Sequence, residues 1–329
     1  MSPEEKAREK AAFKAALKEF ASDLQHYVSS EDGQWAVKGF IDVFRNIYTI
    51  TADTKIVSKI LEVHLFPKIL AFAEEHNLKV VLAEKQNWYP DFSFVGAADP
   101  EIKFAVDLKT TYRDPDRPGY VNGFTLGSHG EYFTNRSSTK NIQFPYKDYF
   151  GHFCLGAIYT RTVEEDLTGM EVYSVKELGS DPAAAEVPQK PLGGVLEEDD
   201  HKRRTFELKL KKVNRLQSIA SVVRDFEFFA CEKWELASDR AGSGNTANIG
   251  GIQSIEDIKT GNGVFVNLGE EIFDEYWMNH GKLKILKEGK EKAITKLDEY
   301  LIHRNLDVSL INRENARRRG RKRGQGALP

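Results

Sequence analysis

Pro90-Asp91 is followed, after fifteen intervening residues, by Asp107-Leu108-Lys109. Two carboxylates and one lysine in this order could form a metal-dependent phosphodiesterase. Asp107 and Lys109 lie in the apolar stretch Ile102–Lys109, which reads as a strand, and positions two apart in a strand share a face. The strand therefore aims an acid and an amine in the same direction. Tyr89-Pro90-Asp91-Phe92-Ser93-Phe94-Val95 reads as a neighbouring strand able to bring Asp91 beside Asp107, giving the hard oxygen donors that Mg2+ prefers. Lys109 would then stand where a water attacks phosphorus. The same letters also suit solvent-facing charges at strand ends, and this pattern by itself does not choose.

These residues need a core to hold them. At 329 residues and 40% hydrophobic composition, the chain can bury one as a single large domain or a main domain with appendages. There is no run of eighteen or more apolar residues, and charge begins at Glu4. Neither a membrane span nor a secretory signal is expected, and a cytoplasmic, bacterial location follows. Cys154 and Cys231, without CxxC spacing, read as buried thiols and not as a disulfide or zinc site. The net charge of −3 is unevenly spread: Arg313–Arg323 holds seven Lys or Arg against Glu314. That tail suits a basic arm on phosphates or a solvated terminus equally.

Ser2-Pro3-Glu4-Glu5 is a capping box followed by Phe13, Leu17, Phe20, Leu24 and Tyr27 at helical spacing. Asp53 can cap a second helix to about Glu75, with Ile56, Ile60 and Val63 on its apolar face. Strands are expected at Val80–Leu82, Phe92–Val95, Ile102–Leu108 and Phe124–Leu126, then over Phe150–Tyr159. Helical spacing returns at Ile272, Phe273, Tyr276 and Trp277, and at Ile294, Leu297 and Leu301. The expected fold class is α/β (α+β), a central mixed β-sheet flanked by helices. The expected divisions are an N-terminal amphipathic helix (1–30), a catalytic core with dimerisation elements (31–161) and an exposed insertion (162–206). A recognition-loop and C-terminal helical part (207–305) and a basic tail (306–329) complete the chain.

Asp239–Gly250 is rich in residues that tolerate unusual backbone angles. No Gly-Lys-Ser/Thr follows, so it is not a phosphate-cradling Walker loop. It suits either a plain solvated turn or a loop that reads bases: Asn can bond adenine bidentately, and a threonine methyl can pack on thymine.

Taken together, Asp53-Thr54-Lys55 with Glu62, Asn87–Phe92, Asp107–Tyr112, Phe124–Gly127, Thr139–Ile142, Tyr159–Arg161 and Ala241–Thr246 appear in the order of a known pattern. The chain resembles the EcoRV-type restriction endonucleases of the PD-(D/E)xK nuclease superfamily, over about Thr51 to Trp277. The resemblance implies a restriction-endonuclease-like core with a small dimerisation subdomain. Asp91 and Asp107 would bind catalytic Mg2+, Lys109 would position the attacking water, and Glu62 would influence a second metal position. Glu62 on helix spacing alone reads as a solvated partner of Lys55 or Lys59.

Gly242, Ser243, Gly244, Asn245, Thr246 and Asn248 would belong to the major-groove loop, and Lys85, Gln86 and Asn87 to a minor-groove loop. Thr54, Lys55, Thr111 and Lys140 would hold the sugar-phosphate backbone. The implied activity is that of a type II site-specific deoxyribonuclease: a homodimer cutting double-stranded DNA at palindromic GATATC to blunt ends with 5′-phosphates, paired with a cognate DNA methyltransferase. Bending of the central TA step would contribute to recognition.

Two other readings remain. A catalytically silent DNA-binding protein would have lost Asp91, Asp107 or Lys109, and a structure-specific nuclease of DNA repair would not need the reading loop. The chain departs from the pattern at Lys85-Gln86 in place of two glutamines, at Trp88 in place of a histidine and at Met278 in place of an arginine.

Overall fold

The computed structural model describes residues 1–85, 87–162, 172–175, 210–213, 219–242, 247–287 and 289–313, with backbone only at 172–175 and 210–213. Most of the expected insertion, the tail beyond Arg313, Gln86 and the loop residues Ser243, Gly244, Asn245 and Thr246 lie outside the described residues. The chain forms two compact units, Met1–Leu24 with Phe66–Ile158 and Phe228–Pro329, and Gln25–Leu65 with Tyr159–Glu227.

The architecture is α+β, with a central mixed sheet flanked by helices. That sheet has the order β10-β7-β5-β4-β3, where β3 is Leu78–Leu82, β4 Phe92–Gly96, β5 Lys103–Tyr112, β7 Gly151–Arg161 and β10 Val223–Glu232. β3, β4 and β5 form an antiparallel meander. β4 and β7 read as continuous buried runs, since both of their faces are covered.

The first helix, α1 (Pro3–Val28), starts where the capping box places it. Ser2 N donates to Glu5 Oε2 at 2.6 Å and Glu5 N to Ser2 Oγ at 3.2 Å. α1 lays Phe13 flat on Phe104 of β5, ring centroids 4.1 Å apart, and sets it at a tilt against Phe94 of β4 and Phe153 of β7. α2 (Thr54–Glu75) adds Phe72 to this cluster, 6.0 Å from Phe13. Asp53 Oδ1 accepts from Lys55 N and Ile56 N at the start of α2, as expected for its cap.

The buried stripe of α2 differs from the expected one. Val57, Leu61, Leu65 and Ile69 are buried at i, i+4 spacing, whereas Ile56 and Val63 are 40% and 65% exposed. Apolar residues occur on more than one face of this helix, so spacing alone leaves its inward face open by a fraction of a turn.

On the opposite side of the sheet a second core gathers Cys154 and Ile158 of β7, Phe229 and Cys231 of β10, and the C-terminal helices α3 (Gly269–Asn279) and α4 (Leu297–His303). Both cysteines are free and buried, as expected. A smaller sheet, β11-β12-β6, comprises Ala237–Ala241, Asn248–Gly251 and Thr125–Ser128. Its β11–β12 hairpin carries both ends of the loop singled out as a base reader.

In the other unit, β1 (Gly39–Ile41) and β2 (Asn46–Thr49) form an antiparallel hairpin. Asp42 ties its turn by accepting from Phe44 N and Asn46 N. β8 (Val172–Val175) and β9 (Leu210–Val213) extend that sheet. Among the described residues, no helix is long and apolar enough to cross a membrane.

Phe13 fills the centre of the first aromatic core, so truncating it leaves a cavity that neighbouring rings cannot close. Phe13→Ala should destabilise the fold by about 3–5 kcal/mol, measured by denaturant unfolding. A change below about 1 kcal/mol would show that α1 does not depend on this contact.

Candidate active site

The β4–β5 register pairs Phe92 with Val106, Ser93 with Ala105 and Phe94 with Phe104. One step beyond Phe92↔Val106 stand Asp91 and Asp107. Alternation along β5 sends Phe104, Val106 and Leu108 toward the helices α1 and α2, and Ala105, Asp107 and Lys109 to the opposite face. The strand pattern thus separates a greasy anchor from a polar front.

At that front, Asp91 Oδ2 accepts from the backbone N–H of Leu108 at 2.7 Å, which fixes it against β5. Lys109 Nζ forms a close ion pair with Asp107 Oδ2. Asp91, Asp107 and Lys109 line one cleft of about 430 Å3, together with Asn87, Trp88, Glu131 and Asn248. Gly127, Ser128, Tyr132 and Asn141 complete much of its wall.

The electrostatics follow from this crowding. Burial and then the charge of Asp107 push the Asp91 carboxyl up to about 7, with Lys109 and the Leu108 N–H opposing. Burial works against Asp107 as well, but Lys109 and the hydrogen bonds from Lys109 and Asp91 hold it below the usual carboxylate range. Lys109 is raised above its ordinary value because Asp107 and Asp91 outweigh its burial. At 4 Å and an effective dielectric of 20, a pair of charges interacts by about 4 kcal/mol, so one ammonium offsets about one carboxylate. The second carboxylate keeps a proton until neutral pH, and the two titrate as a pair.

Two carboxylates aimed into one cleft offer hard oxygen donors, which fits a divalent cation. Asp91 and Asp107 are the residues that would hold it. Among the described residues, no cluster of three or more His, Cys, Asp or Glu gathers elsewhere or here. Mg2+ does not require one, since it is commonly bound by one or two carboxylates with the remaining positions taken by water and phosphate.

The other expected residues fall in several places. Asn248 opens β12, pairs with Ser128 and lines the same cleft, so the end of the Asp239–Gly250 loop and the carboxylates share one wall. Gly242, at the loop's other end, lines a second concavity of about 370 Å3 with Thr125 and Arg240. Its N–H donates to Asn248 O at 2.8 Å, closing the loop's base.

Lys85 holds its ammonium 5.2 Å above the Trp88 ring, beside Asn87. Thr111 is buried and donates to Gly123 O at 3.2 Å, and Lys140 is exposed. Thr54, Lys55 and Glu62 belong to the other compact unit, where Glu62 pairs with Lys59 at 2.6 Å.

Glu131 and Tyr132, in the short helix Glu131–Thr134, line the cleft without a readable signal in sequence, and Asn141 lines it from the Thr139–Ile142 segment. Lys233 is also hidden: it is 2% exposed, and burial pulls its ammonium down to about 8, with Asp107 foremost among the groups opposing.

A helix-backed sheet presenting two crowded carboxylates and a lysine beside a loop hairpin is consistent with a restriction-endonuclease-like fold and suited to phosphodiester cleavage. The family described as restriction endonuclease EcoRV matches residues 31–187 and 192–305. The type II restriction enzyme EcoRV of Escherichia coli is 31% identical over 281 residues, covering 85% of this chain and 96% of that enzyme. The chain belongs to the EcoRV restriction endonuclease family, whose members are site-specific deoxyribonucleases.

Because the Asp91 pKa is raised on folding, the native state holds a proton that the unfolded chain releases at lower pH. This group's contribution to stability therefore falls as pH rises from about 4, its unfolded value, to about 7, and is level above. In metal-free buffer, Asp91→Asn should gain thermal stability over the parent across that interval. A stability difference that stays constant with pH would show that Asp91 is not the group that carries the shift.

Proposed function

We propose that this chain is a Mg2+-dependent type II restriction endonuclease that acts as a homodimer on duplex GATATC and cuts it bluntly at the centre, leaving 5′-phosphates. The observation that carries this reading is the shared cleft: Asp91, Asp107 and Lys109 lie in it together with Asn248, where the reading loop ends.

Asp91 and Asp107 would hold the cation, which when bound lowers the pKa of water and neutralises the scissile phosphate. The chain's own groups supply orientation. Asp91 is clamped to β5 through the Leu108 N–H, so its carboxylate cannot swing away from Asp107. Lys109 brings a point charge to the position of the attacking water and the developing negative charge. Tyr132, its hydroxyl raised by burial above its ordinary value, stays protonated and keeps the cleft wall neutral.

Gly242, Ser243, Gly244, Asn245, Thr246 and Asn248 would read the major groove, and Lys85, Gln86 and Asn87 the minor groove. Thr54, Lys55, Thr111 and Lys140 would hold the backbone, with Glu62 influencing a second metal position. A cytoplasmic setting with a methyltransferase protecting the same site completes the reading.

Two symmetric strands call for two symmetric subunits. The β1–β2 hairpin supports this, because it leaves Phe40, Ile41, Val43 and Phe44 between 57% and 91% exposed, an apolar patch suited to cover by a second copy. A Val43→Asp/Phe44→Asp variant should sediment as a monomer and lose double-strand cleavage. A variant that remains dimeric would remove the hairpin from the interface.

Digestion of a plasmid of known sequence with Mg2+, followed by end mapping, should give blunt ends within GATATC. Asp107→Ala should bind the duplex without cutting it. Ends at other sequences would sink the specificity, and Mg2+-dependent cleavage by Asp107→Ala would sink the site.

A further inference from the structure

Lys233 is buried to 2% exposure, and its Nζ has no hydrogen-bond partner. It opens the 310 turn Lys233–Leu236, between two glutamates that could have neutralised it. Both are engaged elsewhere: Glu232 with Lys10 and Lys14, and Glu235 with Lys14. Asp274 is held by Arg136 at 2.8 Å. In place of a carboxylate, the ammonium is boxed by the rings of Tyr89, Phe133 and Tyr146, whose centroids lie 5.3, 5.1 and 5.8 Å from Nζ.

Aromatic faces recover only part of the hydration that a buried cation loses. A lysine kept in this state works against the stability of the fold, which is the pattern of a functional residue. Its location indicates the function. A Cβ built on Gly127 would lie 3.9 Å from Nζ, and Gly127 lines the catalytic cleft, so the charge sits directly behind the cleft wall. Asp107 is the leading charge that attracts it, and Lys109 on the cleft side repels it.

Asp107 therefore has cations on two sides. Lys109, its paired partner, is the group that must face the phosphate during the reaction. Resting on the nuclease reading above, we propose that Lys233 is a positioning residue of that site: its boxed ammonium balances Asp107 from the protein side, so that Lys109 can turn to the scissile phosphate and attacking water without leaving a buried carboxylate unbalanced. Lys233 itself touches neither substrate nor cation.

Lys233→Met keeps the length of the side chain and suits an aromatic box. In the full chain it should melt at or above the parent's temperature while kcat for duplex cleavage falls at least about tenfold and KM for DNA stays within about threefold. Lys233→Arg, which keeps the charge, should recover most of the turnover. Unchanged kcat in Lys233→Met beside an inactive Asp107→Ala control would overturn the proposal alone. So would parallel loss of stability and activity, which marks a structural lysine. Cleavage by the Asp107→Ala control would instead overturn the site reading on which the proposal rests.

Discussion

Two carboxylates that face each other across adjacent strands, both removed from water, repel one another and each loses its hydration. The β4–β5 pairing holds Asp91 and Asp107 in that arrangement, and the surrounding charges answer it. Lys109 closes on Asp107, the Leu108 N–H closes on Asp91, and a proton remains on the pair up to about neutral pH. Lys233 adds positive charge from behind. Remove the register, and none of these contacts has a reason to exist.

That register is itself held from the other face of the sheet. Phe104 and Phe94, cross-strand partners three residues along each strand from the carboxylates, are pressed by Phe13 and Phe72 of the two long helices. β5 is a partition, with the aromatic core on one face and Asp107 and Lys109 at the edge of a second core on the other. A slip by one residue would turn Asp107 and Lys109 into the aromatic core, so the packing that stabilises the fold also fixes where the charges point. The polar front needs this support, because its own balance of burial and repulsion does not stabilise the fold.

The elements that announce themselves through local rules were legible in the chain. The Ser2–Glu5 capping box, the Asp53 cap and the alternation through Asp107 and Lys109 each depend on residues a few positions apart, and each lies where those rules put it. What escaped depends on distant pairings. The inward face of α2 was displaced from Ile56 and Val63 to Val57 and Leu61 because both stripes are apolar, and only the partner surface selects between them. Lys233 escaped for a related reason: in sequence it is one more charge in Glu232-Lys233-Trp234-Glu235, and its isolation emerges only when Lys10 and Lys14 from the N-terminal helix take the flanking glutamates. That two carboxylates and a lysine share one cleft was readable in the sequence, while most of the cleft's wall was not.

Neither compact unit is a continuous stretch of chain. The boundaries fall inside α1, α2, β7 and β10, so that the polypeptide passes from one unit to the other four times, each time within a regular element. No single pair of cuts in the gene could lift out the unit that carries Asp91, Asp107 and Lys109, and no simple fusion could graft it onto another protein. The part of this chain that holds the two carboxylates and the lysine can change by substitution and by growth of its connecting segments, but it cannot be excised as one continuous segment.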